Sequence, residues 1–368
     1  MPDTFDIAII GAGPAGLAAA WAATQAGFTV CIIDENPAPG GQIWRGESSQ
    51  PTSADSKLWL ARFAQLKCAR LLDTTVIAQP EPGVLLAEQA GRPVEIRYRK
   101  LILATGARER FLPFPGWTSP RILGVGGIQA MVKSGLNVAG KRIIVAGSGP
   151  LLLPAAATLR SHGATIQCIV EQTPLKTLVR FGLSLLTSLG KLRQAASLKW
   201  QTLDIPYHAG AWPTHAYDTG HELQVKIATR SGPIIQHCDC LACGFFLVPQ
   251  LELPRLLDCA VNSGCVTVNE LQQSSVPDIF CAGETTGIGG LEKSLIEGHI
   301  AGHAAAGNVP AAQLLFGPRR KSRRFAAQLG SAFELRPELK TLADDNTIVC
   351  RCEDVRLGDL RPFTTFRN

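Results

Sequence analysis

Short unbroken apolar runs alternate along this chain with stretches whose apolar residues recur at helical spacing. That is the pattern of strands buried on both faces with helices packed against them. Ile7 to Ile10 is the first run; Gly11, Gly13 and Gly16 follow, then a helix from Leu17 to about Gln25 and a strand from Thr29 to Ile33 ending at Asp34. Lys57 to Leu72 has helical spacing, with Leu58, Leu60, Phe63 and Leu66 as its apolar residues. Val76 to Arg99 reads as short antiparallel strands with turns near Pro82-Gly83 and Gly91, and a buried strand then ends in Ala104-Thr105-Gly106. A second strand–turn–helix–strand series starts at Lys141: strand 142–146, turn Gly147-Ser148-Gly149, helix Leu151 to Ser161, and strand Thr165 to Val170 ending at Glu171. Phe181 to Leu192 reads as an apolar helix too short to span a bilayer, and Leu198 to Ala228 as strands. A late strand ends in Cys281-Ala282-Gly283-Glu284, a helix runs from Leu291 to about Ala306, and 325–345 is helical with Phe325, Leu329 and Phe333 on one face.

The glycines give the first series its chemistry. Gly11 permits a tight turn, Gly13 lets the backbone approach a pyrophosphate, and Gly16 lets the helix lie against the strand. Pro14 and Ala15 open a helix whose free N–H groups and dipole favour negative charge. Asp34, followed by Glu35, stands where an acid accepts hydrogen bonds from a ribose. A glycine-rich turn with no ligand is the plainer alternative, but strand, glycines, helix, strand and acid in this order argue for a dinucleotide. In the second series the third glycine position holds Leu152, and Pro154 sits in the first helical turn. Gly147, Gly149 and Glu171 make a second nucleotide site there; the alternative is a scaffold that binds nothing. With no Arg pair after Glu171, NAD(H) is favoured over NADP(H), and ADP or ATP suits the same chemistry.

Composition narrows the class. The 368 residues are 46% hydrophobic and 18% charged, enough for a large core and two or three domains. A net charge of +6 permits an anionic cofactor without demanding nucleic acid or membrane. Eleven Cys, with no secretory signal, read as thiols in a reducing cytoplasm. Ile7 to Ile33 carries no charge but is broken by glycines and Pro14, so it reads as the core of a βαβ unit and not as a span.

The paired signals, the opening glycine turn and a strand ending Ala104-Thr-Gly-Ala107, resemble the flavoproteins with two dinucleotide-binding domains, the glutathione-reductase-like class. Pro39-Gly-Gly-Gln-Ile-Trp-Arg45 and Ala104-Thr-Gly-Ala-Arg-Glu-Arg110 with Pro113-Phe-Pro-Gly-Trp117 resemble a narrower group: the FAD-containing A subunits of opine oxidases, D-hydroxyproline dehydrogenases and hydrogen cyanide synthases. The resemblance implies an α/β fold of two Rossmann-like domains, the second inserted in the first. FAD would bind residues 1–112 plus 275–330, a NAD-binding-like domain would cover 113–274, and 331–368 would be a C-terminal extension. Gly41, Gln42, Ala104, Thr105, Gly106, Gly283, Glu284, Gly290 and Leu291 join Gly11, Gly13, Pro14, Ala15, Gly16, Asp34 and Glu35 as expected FAD contacts. Glu284 is one methylene longer than the Asp usual at its position. The helix from Leu291 would aim its N-terminus at the flavin pyrimidine ring.

Several motifs invite other chemistry. Cys240 and Cys243 form a CxxC, but three residues apart on a strand they face opposite ways, with Cys238 expected on the side of Cys240. His299 and His303 have the spacing of two metal ligands, with packing the favoured reading. Arg319-Arg-Lys-Ser-Arg-Arg324 reads as a solvated face. Cys350 and Cys352 resemble the opening of a CxC…CxxxxC iron–sulfur module. A [2Fe–2S] cluster needs four thiolates, and two do not hold one. Against that resemblance this chain reads as C-terminally shortened, and the ending from Arg361 to Asn368 is left without a role.

The leading functional expectation is an electron-transferring subunit whose partner subunit carries the small-molecule substrate site, acting on CH–NH donors. It is placed in the cytoplasm, with contact to the inner membrane only through a complex. The alternatives are a self-contained NAD(H)-dependent FAD oxidoreductase and a non-catalytic flavin- or nucleotide-binding relic. No Cys stands between Asp34 and Cys68, which argues against a thiol–disulfide reductase.

Overall fold

The computed structural model describes residues 4–46, 51, 53–187 and 189–364. Part of the polar connection at 46–56 and the last four residues of the chain's ending lie outside them. The chain divides into two compact units, Met1–Arg108 with Leu247–Leu329, and Glu109–Phe246 with Gly330–Asn368.

In the first unit, five parallel strands stand in the order Ala69–Leu71, Val30–Ile33, Phe5–Ile10, Arg92–Leu103, Ile279–Cys281. Arg92–Leu103 serves two sheets. Its first half pairs antiparallel with Val84–Gln89, and its second half runs parallel between Phe5–Ile10 and Ile279–Cys281. The expected turns at Pro82-Gly83 and Gly91 join this meander.

The helix Pro14–Gln25 is built from small residues because it is covered on two sides. Ala15, Ala18, Ala19, Ala20 and Ala23 pack into one cluster with Ile7, Ile9, Val30 and Ile32 of the sheet and Ala301, Ala304 and Ala305 of the helix Leu291–Ala305. A Cβ on Gly298 would stand 2.2 Å from the Ala15 carbonyl oxygen, and one on Gly302 would stand 2.3 Å from that of Ala19. The two helices therefore meet backbone to backbone.

Residues 247–274 were expected with the second region, but they belong to the first. Leu251, Leu257, Cys259 and Val266 are buried against Phe5, Ala8, Cys31 and Leu101 on the far side of the sheet. The helix expected from Lys57 begins earlier, at Ala54–Gln65, capped by Ser53, and it buries Trp59 while Leu58 is exposed.

The second unit repeats the plan. Five parallel strands stand in the order Tyr207–Ala209, Thr165–Glu171, Arg142–Ser148, Cys240–Phe245, Ile122–Leu123. Trp212–Asp218, Leu223–Ala228 and Ile234–Cys238 form an antiparallel sheet. Residues 198–201, expected in a strand, end the helix Leu189–Gln201. The segment after residue 330 is part of this unit: Phe333, Leu335, Leu339 and Leu342 sit in or near its core.

Candidate functional site

In the first unit, segments distant in sequence close around one end of the parallel sheet. Gly11 donates to Ile33 O (2.8 Å), Ala104 donates to Ile10 O (2.8 Å), and Ala282 donates to Leu103 O (3.0 Å). The glycines are there because nothing larger fits. Gly11 has φ +107°, and its Cβ would lie 2.3 Å from Ala104 O; a Cβ on Gly16 would lie 1.7 Å from Gly11 O. The loop Pro39–Arg45 comes in beside the turn: Gly40 N donates to Ala12 O, and a Cβ on Gly41 would stand 3.0 Å from the Gly13 Cα. Gly283 lies against Ala15, and the Thr105 and Thr285 hydroxyls are 3.4 Å apart. The turns at 11, 105 and 283 are thus neighbours, as the motifs require.

The helix Pro14–Gln25 starts at Gly13 with no side-chain cap and no acid in its first turn. Its positive end faces the mouth with its N–H groups available, and Gly13 and Gly41 keep the approach bare of side chains. This cradle fits a pyrophosphate.

Asp34 ends Val30–Ile33 as expected, but its carboxylate is committed within the chain. Oδ2 accepts from Ala12 N at 2.5 Å, and Oδ1 accepts from both the backbone N and the Nδ2 of Asn36 at 2.8 Å. The neighbouring Glu35 is exposed. Glu284, the long variant of the usual Asp, turns the other way: Oε1 accepts from Gly290 N at 2.7 Å and Oε2 from Gly289 N at 3.2 Å. It closes the loop in front of the helix Leu291–Ala305. Burial pushes its carboxyl up, against the nearby Lys293.

A buried charged brace behind this loop escaped the sequence reading. Lys293 and Glu297 are both fully buried and 2.8 Å apart. Lys293 Nζ also donates to Gly283 O (2.8 Å) and to Thr286 Oγ1 (2.9 Å). Glu297 accepts from Gly283 N, Thr286 Oγ1 and Arg323 Nε. Burial acts to raise the Glu297 carboxyl, but Lys293 and Arg323 outweigh it and hold it below its usual range. The i,i+4 spacing of Lys293 and Glu297 was the available signal.

The same brace corrects the reading of the basic run. Those residues lie in the helix Phe316–Ala332, so they spread around it. Arg320, Lys321 and Arg324 are exposed, whereas Arg319 is buried and donates to the Asn269 and Glu270 carbonyls, and Arg323 reaches Glu297 and Gln272.

The second unit forms the same turn with a different mouth. A Cβ on Gly147 (φ +139°) would lie 1.7 Å from Gly244 O, and Gly149 lies under the ring of Phe246. Leu152, in the third glycine's place, is buried in the core. Glu171 is buried, accepting from Gly149 N (2.9 Å) and Thr173 N (2.9 Å), and burial pushes its carboxyl up to about 7. A strap of the chain's own residues crosses above. Gln172 Nε2 donates to Glu334 O (3.0 Å), Arg336 N donates to Gln172 Oε1 (3.2 Å), and Ser148 Oγ is 3.5 Å from Phe333 O. The Phe333 ring stacks on Phe246 (6.2 Å) and meets Phe181 edge-on (5.2 Å).

The Cys240/Cys243 and His299/His303 motifs resolve as packing. Cys240 and Cys243 face opposite sides of their strand, as expected. Cys238 lies on the side of Cys243 and not of Cys240, because Asp239 separates two strands and breaks the alternation. His299 stacks on His303 and meets Trp59 at a tilt of 57°, and burial pushes it down to about 4. Cys350 and Cys352 carry their sulfurs 3.7 Å apart at a hairpin. Backbone N–H groups of Glu353 and Cys352 hold the Cys350 thiol below its usual range. No group of three or more metal-ligating side chains occurs among the described residues.

Residues 5–307 match the family model for pyridine nucleotide-disulphide oxidoreductase. The chain belongs to that family. The A subunit of opine oxidase from Rhizobium meliloti is 30% identical over 97% of this chain and 84% of its own length. Hydrogen cyanide synthase subunit HcnB of Pseudomonas aeruginosa is 30% identical over 96% of this chain and 83% of its own length. Both family relatives are named as subunits of larger enzymes. Among solved structures, L-proline dehydrogenase from P. horikoshii superposes with a TM-score of 0.68 at 18% identity, over 98% of this chain and 66% of that one. The family is one of flavin-dependent oxidoreductases with Rossmann-like sheets, which is the architecture of both units here. No helix among the described residues is long and apolar enough to cross a membrane.

Proposed function

We propose that this chain is the electron-transferring FAD subunit of a heteromeric dehydrogenase acting on amino-acid-like CH–NH donors held by a partner subunit. The observation that carries this reading is the contrast between the two dinucleotide turns. The first presents a bare helix N-terminus at Gly13; the second lies beneath Phe246 and the strap from Phe333 to Arg336. A nicotinamide would have to displace the strap to reach Gly149, so a donor other than NAD(H) is favoured. The opine oxidase and hydrogen cyanide synthase relatives are themselves subunits, which supports a donor site on another chain.

In this reading FAD supplies the redox chemistry. The turn Gly11–Gly16 and the N-terminus at Gly13 hold its pyrophosphate. Asp34 fixes that turn through Ala12 N, and the exposed Glu35 takes the ribose hydroxyls. Gly41 and Gln42 line the same approach. Ala104, Thr105, Gly106 and Gly283 would help to hold the flavin. Glu284 acts through Gly289 and Gly290, fixing the positive helix end at Leu291 where negative charge on a reduced ring is stabilised.

The test is anaerobic mixing of the yellow purified chain with NADH. The proposal expects no prompt bleaching, and reduction by an opine or D-hydroxyproline only once the partner subunit is added. Prompt bleaching by NADH alone would establish the self-contained oxidoreductase instead.

A further inference from the structure

The second unit carries two successive helices, and the outer face of the first has no place in the chemistry above. They span Leu175–Ser184, followed by a 3-10 turn at Leu185–Thr187, and Leu189–Gln201. The inner side of the first is anchored, with Phe181 against Phe333 and Leu185 buried. Its outer side is not: Leu175 is 64% exposed, Val179 54%, Leu183 61% and Leu186 59%. Trp200 is 78% exposed and Leu203 63%. Leu175, Val179 and Leu183 recur every four residues, so they form one stripe about 80° wide. Lys176 and Arg180, both exposed, follow along one edge of it.

Charge identifies what covers this face. From Gln172 to Leu203 the sequence has five Lys and Arg and no Asp or Glu, in a chain that elsewhere nearly balances the two. A second copy of the chain would bring a face without a carboxylate against the same face, leaving Lys176 and Arg180 with no anion from it to pair with. An apolar stripe edged by cations, in a segment with no carboxylate, is the composition of a helix lying in the plane of an anionic bilayer surface.

We propose that the helix Leu175–Ser184 docks this chain on an anionic membrane surface, with Leu175, Val179 and Leu183 in the acyl boundary and Lys176 and Arg180 on the lipid phosphates. The contact belongs to the chain itself and is independent of any partner subunit or of which donor reduces the flavin.

The test is co-sedimentation of the full FAD-loaded chain with phosphatidylglycerol-containing vesicles and with pure phosphatidylcholine vesicles. Binding is expected only to the first, weakening as salt is raised. A cation near such a surface contributes about fivefold in affinity, so Lys176→Glu with Arg180→Glu should lower binding by about 25-fold or more. Leu183→Asp should abolish it while leaving the flavin spectrum and the circular dichroism unchanged, since the side chain is on the surface. Equal binding to both vesicle types, or none to either, overturns the proposal. So does a wild-type dimer that Leu183→Asp converts to monomers without any vesicle binding, which would assign the stripe to a second copy.

Discussion

The two βαβ units use the same turn and reach opposite ends. In each, a glycine of positive φ touches the carbonyl of a neighbouring strand, Ala104 for Gly11 and Gly244 for Gly147, and an acid at the end of the second strand accepts from a backbone N–H of the turn. What differs is what stands above. The first mouth is lined by Gly13 and Gly41. The second lies under Phe246 and Phe333, its acid sealed from water. Retaining a dinucleotide turn is therefore no guarantee that its crevice is open, because the residues that close it come from elsewhere in the chain.

The largest test sits at the third glycine position. Gly16→Ala drives a methyl into Gly11 O at 1.7 Å. We expect the variant to be recovered without flavin, read from the absorbance ratio after gel filtration. The counterpart Leu152→Ala removes core volume only. It should cost about 2–5 kcal/mol of stability in urea unfolding while retaining full flavin. Flavin loss in both variants would mean that the two turns are not independent.

The strap comes next. Phe333→Ala with Gln172→Ala removes the ring on Phe246 and the clamp on Glu334 and Arg336. The Phe333 truncation alone should cost about 3 kcal/mol or more. It should also uncover Gly149, so ADP, followed by calorimetry, should bind at least about tenfold tighter than to the parent, a gain of about 1.4 kcal/mol. If the parent already binds ADP as tightly as the variant, the second crevice is open and the contrast fails.

The part of this contrast that could be read in the sequence is the part written in local geometry. Gly11, Gly13, Gly16, Asp34 and the Ala104-Thr-Gly106 strand end each answer to a backbone constraint a few residues away. The long-range closures could not be read in that way. Phe333 stood out only as one apolar position on a helical face, and nothing local says that it caps a turn nearly two hundred residues earlier. Arg319 and Arg323 looked like a solvated run because their partners, the carbonyls of 269 and 270 and Glu297, are supplied by other segments. Leu58 faces outward for a smaller reason: two residues from Leu60 it stands about 200° round the helix, whereas Trp59 shares one stripe with Ser56, Leu60 and Phe63.

A third measurement uses pH. Burial sets the Glu171 carboxyl at about 7 in the fold, against about 4.3 in an unfolded chain. Between those limits the folded chain holds a proton that the unfolded chain has released. The stability this gives is fully present below about pH 4 and is lost as pH rises through 7, roughly 4 kcal/mol in all. Urea midpoints should therefore fall from about pH 5 to pH 8, and Glu171→Gln should flatten the slope. A slope unchanged by that substitution would mean that water reaches the carboxylate and that the second crevice is not sealed as the contrast requires.

The finest distinction lies within the first mouth, between adjacent acids. Asp34 spends both oxygens on Ala12 and Asn36, so it acts on the cofactor only through the shape of the turn. Glu35 is exposed and has no such commitment to the turn. If Glu35 meets the ribose, Glu35→Gln exchanges a charged hydrogen bond for a neutral one and should weaken FAD by about tenfold, with thermal stability of the FAD-free protein unchanged. Asp34→Asn should instead lower the stability of the FAD-free protein itself, since a neutral amide accepts more weakly from Ala12 N. Flavin titration of the stripped variants separates the two. Should Glu35→Gln bind like the parent while Asp34→Asn loses flavin without losing stability, the ribose contact belongs to Asp34, and the internal bonds of its carboxylate must open when the cofactor enters.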